Sequence, residues 1–292
     1  MRLNEEEYYQ YIGLHINIIY YVGRKKKLIP ASTTVEDFRR YSTDDKVPIR
    51  NAVYENIEML DDYIADHSED LSEEEKEIIL DFKNFKKGTF CVVKLTKKYA
   101  YFFGDKYVYG VYALNDPFQM FWGDNLPIMV QAVLLPFKGK IVYDGMISSY
   151  RMSFGKGMTN SIKNDYTLSE AKYGVITELP EKIDNSILEN SAEKELLILM
   201  KTKSSREYNK YQIADLLLEH PELEPIHTRE WGRINSRAKK KELKGLGVQK
   251  RWFAIYNNTI LLSGKSEKEL KIELKKLIQN DKHRAGIYYF KT

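Results

Sequence analysis

The chain has 292 residues, of which 43% are hydrophobic and 30% are charged, and it has one cysteine. This apolar content excludes a disordered chain, and a single cysteine excludes an intramolecular disulfide. The formal net charge is +4 at pH 7, but residues 1–86 hold 12 basic and 19 acidic side chains, whereas residues 181–292 hold 23 and 16. Length and charge together predict at least two structural units, with an acidic amino-terminal end and a basic carboxy-terminal end.

No segment of the sequence predicts export or membrane insertion. The start of the chain, Met1–Glu7, lacks the basic residues and apolar core of a secretory signal. The longest nearly apolar stretch, Leu126–Phe137, is too short to cross a bilayer and contains two prolines. Cys91 lies in an apolar run typical of a strand, which predicts a buried, unreactive thiol. We therefore expect a cytoplasmic protein with no membrane partner, and no pattern predicts a metal or another cofactor.

Residues 1–86 have the periodicity of helices. Apolar side chains of Tyr8–Tyr20 share one face of a helix that ends near Gly23, and a second helix is predicted over Pro48–His67. Ser72 is followed by three glutamates, which predicts the cap of a third helix that reaches about Phe85. These helices predict an amino-terminal helical segment.

Residues 87–180 have the pattern of short strands separated by turn residues. The predicted strands are Thr89–Leu95, Tyr99–Phe103, Tyr107–Ala113, Pro127–Pro136 and Lys140–Ile147. Because the turns at Gly104–Lys106 and Phe137–Gly139 are short enough for hairpins, we predict a central antiparallel β-meander. The stretch Leu134–Gly145 resembles a strand pair of uncharacterised bacterial proteins. That resemblance covers about residues 87–180 and implies relatedness without an activity.

Residues 181–292 return to helices and end in a small ββαβ element, so the whole chain is predicted to be α+β. The predicted elements are helices over Ala192–Lys201, Lys210–Glu219 and Thr228–Leu243, a hairpin at Asn257–Asn258, a helix over Ser266–Gln279 and a strand over Gly286–Phe290. The stretch Trp252–Ser266 is similar to the hairpin of a small domain of unknown function. No chemistry follows from that similarity.

The segment from Thr228 to Arg251 has nine basic residues against two glutamates. Basic side chains recur there every four residues, and on a helix this spacing forms one cationic stripe suited to a row of phosphates. The order of helix, helix, basic helix and hairpin predicts a winged helix-turn-helix, although the connection His220–His227 is longer than the usual turn. The predicted nucleic-acid contacts are Arg229, Arg233, Asn235, Arg237, Lys240, Lys241, Lys250 and Arg251.

The leading prediction is thus a nucleic-acid-binding or regulatory protein without an evident catalytic site, with DNA or RNA as its partner. The same charges also suit a helix that is simply solvated. A further alternative is a protein-interaction module that forms a homodimer, in which the acidic amino-terminal segment pairs with the basic carboxy-terminal region of a second copy. The sequence leaves these alternatives open.

A glycine-containing turn is a candidate phosphate site. Ser153, Gly155, Lys156 and Gly157 follow a predicted strand and precede a predicted helix, so backbone amides and a lysine would meet a phosphate at a helix amino end. The spacing matches neither nucleotide-binding fingerprint, so the turn also suits a purely structural role.

Three residues predict a phosphate-ester hydrolase or nuclease-like enzyme as an alternative function. Asp144 ends a predicted strand, and Glu170 and Lys172 form an acidic-x-Lys pair of the kind that binds a metal and positions water. However, Glu170 falls in a predicted helix, whereas that architecture requires a strand. Asp144 also precedes a glycine, which is typical of a turn residue.

Overall fold

The computed structural model describes residues 2–123, 125–150, 154–180 and 191–292. It contains two compact units, Met1–Asp184 (unit 1) and Asn185–Thr292 (unit 2). Both units contain helices and strands, which confirms the predicted α+β class and the helical amino terminus.

Unit 1 begins with α1 (Glu5–Lys25), α2 (Val35–Arg39), α3 (Thr43–Glu55), α4 (Met59–Asp66) and α5 (Glu73–Asp81), and a 3-10 turn follows at Phe82–Asn84. Reciprocal capping boxes start α1 at Asn4 and α5 at Ser72. In each box the side chain of the cap residue accepts from the backbone amide of a glutamate three residues later, and the carboxylate of that glutamate accepts from the backbone amide of the cap residue. The helix predicted over Pro48–His67 is instead divided between α3 and α4, because Asn56 leaves the helical conformation at φ −136° and ψ 63°.

The sheet of unit 1 closes into a five-stranded barrel. Its strands are β1 (Lys86–Leu95), β2 (Ala100–Gly104), β3 (Tyr107–Tyr112), β4 (Ile128–Phe137) and β5 (Lys140–Tyr143), and the short strands β6 (Ser148–Ser149) and β7 (Val175–Ile176) pair with β4 and β3. The strand order is β1-β2-β3-β5-β4, and β4 also pairs with β1, which closes the ring.

The predicted antiparallel β-meander is therefore wrong in its connections. In a meander β3 would pair with β4, but α6 (Phe118–Trp122) intervenes and β3 pairs in parallel with β5, with Val111 opposite Ile141. The ten-residue strand β4 is long enough to pair with β5 near its end and with β1 along its earlier part. Periodicity locates strands but carries no information about pairing between strands that are distant in the chain.

The helices and the barrel of unit 1 share one hydrophobic core. Tyr11 of α1 is fully buried, and its ring centroid lies 5.3 Å from that of Phe137 in β4 and 5.9 Å from that of Phe82. Its hydroxyl donates to the carbonyl oxygen of Tyr143 at 3.1 Å, which satisfies the polar end of the ring. A further helix of the unit, α7 (Lys156–Tyr173), packs against β3.

Unit 2 contains helices on both faces of a three-stranded antiparallel sheet. Its elements are α8 (Ser191–Leu199), α9 (Lys203–Tyr208), α10 (Lys210–Glu219), α11 (Glu224–Gly245), β8 (Trp252–Tyr256), β9 (Thr259–Gly264), α12 (Glu267–Leu277), α13 (Asp281–Ala285) and β10 (Ile287–Lys291). The strand order is β10-β8-β9.

Successive side chains of a strand point to opposite faces of the sheet, so the strands of unit 2 contribute to two small hydrophobic cores, one on each face. Phe253, Ile255 and Phe290 form one cluster, which Leu243 of α11 joins. On the opposite face, Ala254 and Ile287 cluster with leucines of α12. The central strand β8 therefore contacts a helix on each side of the sheet.

The structure does not support the predicted winged helix. In that fold the recognition helix presents a face to DNA beside a two-stranded wing, whereas the basic helix α11 packs on β8 and β10. The predicted wing, Arg251–Ser263, forms two strands of the sheet under this helix, and the third strand comes from the end of the chain. The pairing of β10 with β8 was not visible in the local pattern.

Candidate nucleic-acid interface

The helix α11 is fixed by close packing on the sheet of unit 2. Gly232 and Ser236 lie on its buried side. A Cβ added to Gly232 would lie 3.0 Å from the Cβ of Tyr288 and 3.3 Å from the carbonyl oxygen of Ile255, so only glycine permits this approach without a shift of the strands. The rotation of the helix about its own axis is therefore set, and with it the direction of the cationic side chains.

One side of α11 carries a row of cations, which we call the basic flank. Successive members lie three or four residues apart, except for the adjacent Lys240 and Lys241, so they share one side of the helix: Arg229, Arg233, Arg237, Lys240, Lys241 and Lys244. From Arg229 to Lys241 the row extends about 18 Å, at about 1.5 Å per residue. Arg229, Arg237, Lys241 and Lys244 are exposed, whereas Arg233 and Lys240 are partly buried.

Acidic neighbours neutralise only part of this charge. Arg233 forms an ion pair with Glu230, with Nε and Oε2 2.7 Å apart. Lys239 lies outside the flank and pairs with Glu242 at 3.6 Å. Among the residues that the structure describes, the four exposed members of the flank form no ion pair.

The remaining predicted contacts lie outside the basic flank. The side-chain amide of Asn235 donates to the carbonyl oxygen of Asn257 at 3.0 Å, so it joins the helix to the β8–β9 turn. Lys250 and Arg251 are exposed just before β8. The amide of Thr292 donates to the carbonyl oxygen of Arg251 at 3.0 Å, so the backbone there is held while the side chain is exposed.

A surface cavity of about 530 Å³ adjoins the amino-terminal part of the flank. Its walls include Arg229, Lys275, Tyr288 and Tyr289, together with two ion-paired cations. These pairs are Lys271 with Glu267 at 2.6 Å and Arg284 with Asp281. Cations and aromatic side chains therefore meet at the end of the row.

The glycine turn supplies a helix start but no close cradle. Gly155 is the N-cap of α7, and Lys156 and Gly157 are its first two residues, all three exposed. A Cβ added to either glycine would have no heavy atom within 4 Å, and neither residue has a positive φ. The turn thus has no steric need for glycine. Ser153 lies outside the described residues.

Asp144, the first of the hydrolase candidates, is fully buried at the end of β5. Its Oδ2 accepts from Nη1 of Arg50 at 2.7 Å, and its Oδ1 accepts from the amide of Met146 at 3.1 Å. Burial raises the pKa of Asp144 to about 6, although Arg50 and the Met146 amide act in the opposite direction. A carboxylate enclosed in this way has no exposed oxygen with which to meet a substrate.

Glu170 and Lys172, the other two candidates, have different partners. Both lie on α7, where Glu170 accepts from the hydroxyl of Tyr101 at 3.1 Å and Lys172 lies over the ring of Tyr173. No contact joins either of them to Asp144 among the described residues. No group of His, Cys, Asp and Glu in the described part of the chain has the arrangement needed for a metal ion.

The ion-pair partner of Asp144, Arg50, is not singled out by the sequence pattern. Arg50 and Tyr54 lie on the buried side of α3 with Ile49 and Val53. The available signal is a charged residue on an otherwise apolar helix face, which in a folded chain requires an opposite charge. Periodicity cannot say which of the many acidic residues provides it.

Protein-family models, curated proteins and solved structures give no match to this chain. In the described part of the chain, none of the helices is both long enough and apolar enough to traverse a bilayer.

Proposed function

We propose that the protein binds nucleic acid through the basic flank of α11. The observation that carries the proposal is the row of cations along one flank of a helix whose neighbouring side is locked on a sheet. A rigid helix holds its charges in one line without ordering a loop on binding, so less entropy is lost when phosphates are neutralised. The contacts are to the phosphate backbone, and the proposal includes no base-specific readout.

The adjacent cavity favours single strands as the form that binds most tightly. Tyr288 and Tyr289 line it beside Arg229, and unpaired bases stack on aromatic rings beside a basic groove. Duplexes would use only the row of cations.

Salt dependence gives the first test of this proposal. Four exposed cations that each neutralise one phosphate predict a slope of log Kobs against log salt of about −3.6 for duplex DNA and about −2.8 for single strands. Binding of labelled DNA and RNA strands and duplexes is measured by fluorescence anisotropy at several NaCl concentrations, starting at low salt.

Charge reversal of two exposed flank residues gives the second test. The double variant Arg237→Glu, Lys241→Glu should reduce the magnitude of the slope by about 2 and abolish most binding at moderate salt, because two phosphate contacts become repulsive. The control is Lys97→Glu, Lys98→Glu, which makes the same change in net charge at an exposed turn of unit 1. The proposal fails if no nucleic acid binds at low salt, or if both double variants weaken binding equally.

A further inference from the structure

A second candidate site is a surface cavity of about 300 Å³ in unit 1. One wall is the side of α3 that carries Arg50 and Asn51. The opposite wall is formed by neighbouring strands, with Thr89 of β1 opposite Gln131 of β4, and Gln131 opposite Ser148 of β6. The cavity therefore lies where the helical segment meets the barrel.

Arg50 is the unusual member of this wall. Its side chain is only 9% exposed, and its Nη1 is used by Asp144. Its Nε is fully buried and has no hydrogen-bond partner among the described residues. A buried, charged donor without an acceptor is costly, so an acceptor that reaches it is bound favourably.

The geometry of a guanidinium determines which chemical group fits as that acceptor. Its N–H donors lie in one plane, and the edge that contains Nε matches two oxygens of a carboxylate or a phosphate. Asp144 already occupies Nη1 from the protein interior. The edge that remains suits a second oxyanion beside Asp144.

The charge and the polarity of the cavity favour the same kind of ligand. Lys87 contributes a second cation, and no aspartate or glutamate among the described residues lines the cavity. Because Asp144 balances Arg50, the charge of Lys87 is left for a bound anion. The side chains of Asn51, Thr89, Gln131 and Ser148 add neutral donors. A volume of about 300 Å³ is at the lower end of the range for ligand sites, which limits the ligand to a small molecule.

We propose that this cavity binds a small oxyanion, a carboxylate- or phosphate-bearing molecule whose oxygens accept from the Nε edge of Arg50 and whose charge is balanced by Lys87. The site is independent of nucleic-acid binding, because all its residues belong to unit 1 and the basic flank belongs to unit 2.

Nuclear magnetic resonance on the ¹⁵N-labelled full-length protein tests the site directly. Sodium sulfate, sodium phosphate or sodium acetate replaces sodium chloride at constant ionic strength, while the Nε–H signal of Arg50 and the amide signals of Gly88 and Thr89 are followed. We expect saturable shifts of all three signals with at least one of the anions. The anion that saturates at the lowest concentration distinguishes a tetrahedral from a carboxylate ligand. Absence of saturation with all of them up to about 50 mM, where even a site with millimolar Kd is filled, overturns the proposal.

Substitutions separate the site from general charge effects. Lys87→Ala changes an exposed residue and should weaken anion binding severalfold with the fold retained. The control Lys97→Ala removes an exposed lysine elsewhere in unit 1 and should leave the affinity for the anion unchanged. Arg50→Lys retains a cation for Asp144 but loses the planar pair of donors, and should weaken binding at least about tenfold.

Equal affinities of the wild type and Lys87→Ala would overturn the proposal even where Arg50→Lys does not fold. The variant Arg237→Glu, Lys241→Glu should respond to the anion as the wild type does. Failure of one proposal is thereby distinguished from failure of the other.

Discussion

His15 and Asp144 are two buried titratable residues in the core of unit 1 whose pKa values are shifted in opposite directions. The Nε2 of His15 lies 3.0 Å from the hydroxyl of Tyr54, and burial, with repulsion by Arg50, lowers the pKa of His15 to about 3. Burial raises the pKa of Asp144 to about 6. Tyr11 and Tyr54 adjoin these groups, but burial raises the pKa of both, so they are neutral in acid.

The two groups affect stability with opposite signs. The folded pKa of Asp144 is above its ordinary value of 3.8, so its contribution to stability is fully present below pH 3.8 and is lost as the pH rises through 6. The folded pKa of His15 is below its ordinary value of 6.5, so its contribution is present above pH 6.5 and is lost as the pH falls towards 3. Between about pH 6 and pH 4 the two effects largely cancel, since each changes the free energy of unfolding by at most about 1.4 kcal/mol per pH unit.

If either group is removed, the effect of the other on the pH dependence of stability should no longer be cancelled. In Asp144→Asn the free energy of unfolding of unit 1 should fall more steeply than in the wild type as the pH decreases from 6 to 4, because only His15 remains. In His15→Gln it should rise relative to the wild type over the same range. Urea unfolding at several pH values measures both slopes.

The slopes, and not the absolute stabilities, decide this prediction, because Asp144→Asn also leaves the buried charge of Arg50 without its partner. The amide of glutamine at position 15 can still bond to Tyr54. Parallel pH profiles for the wild type and His15→Gln would contradict the assigned pKa values.

At the scale of elements, the contact of α11 with its sheet depends on Gly232. The variant Gly232→Val should lower the free energy of unfolding of unit 2 by roughly 1–3 kcal/mol, because its Cβ would lie 3.0 Å from the Cβ of Tyr288 and its methyl groups would need further space. Urea or thermal unfolding measures the loss. The proposed nucleic-acid binding should weaken as well, because the strain rotates or shifts the helix that carries the basic flank.

Gly245 offers a matched control at the end of the same helix. A Cβ added there has no neighbour within 4 Å, so Gly245→Val should change stability by only a few tenths of a kcal/mol. Equal losses in the two variants would mean that valine disturbs the helix itself and not its contact with the sheet.

Local sequence signals predicted the positions of helices and strands well, but they predicted poorly which strands pair with one another. The cap at Ser72 was visible because a capping box is a pattern within four residues. At Ser266 the same pattern is only half realised: the hydroxyl accepts from the Glu269 amide, but that carboxylate accepts from the amide of Lys265. The closure of the barrel through β1 and β4 is a long-range pairing, and strand periodicity is equally compatible with an open sheet.

At the scale of the whole molecule, the candidate sites also differ in whether a local pattern or a long-range contact forms them. The basic flank was predictable, because all its residues lie in one helix and their spacing is local. Its orientation was not, since that depends on strands that follow in the chain. The cavity at Arg50 was wholly unpredictable, because Arg50 and Asp144 are 94 positions apart and meet only through the fold.

Three hydrophobic clusters of described residues each lie within one unit. One large cluster contains buried residues from Leu3 to Leu179, whereas the clusters on the two faces of the unit 2 sheet draw their buried residues from Phe253 to Phe290. Separate cores give each unit its own source of stability, which predicts that the two units unfold independently.

Calorimetry should therefore resolve two transitions, each sensitive to its own core. Leu135 and Ile255 are both fully buried, one in the barrel and one in the sheet of unit 2. Replacement of either by alanine should cost about 2–5 kcal/mol. Leu135→Ala should lower one melting temperature by at least about 4 °C, and Ile255→Ala should lower the other by at least about 8 °C, because the smaller unit has the smaller unfolding entropy. Each variant serves as the control for the other, and a single transition that both variants shift would refute independent unfolding.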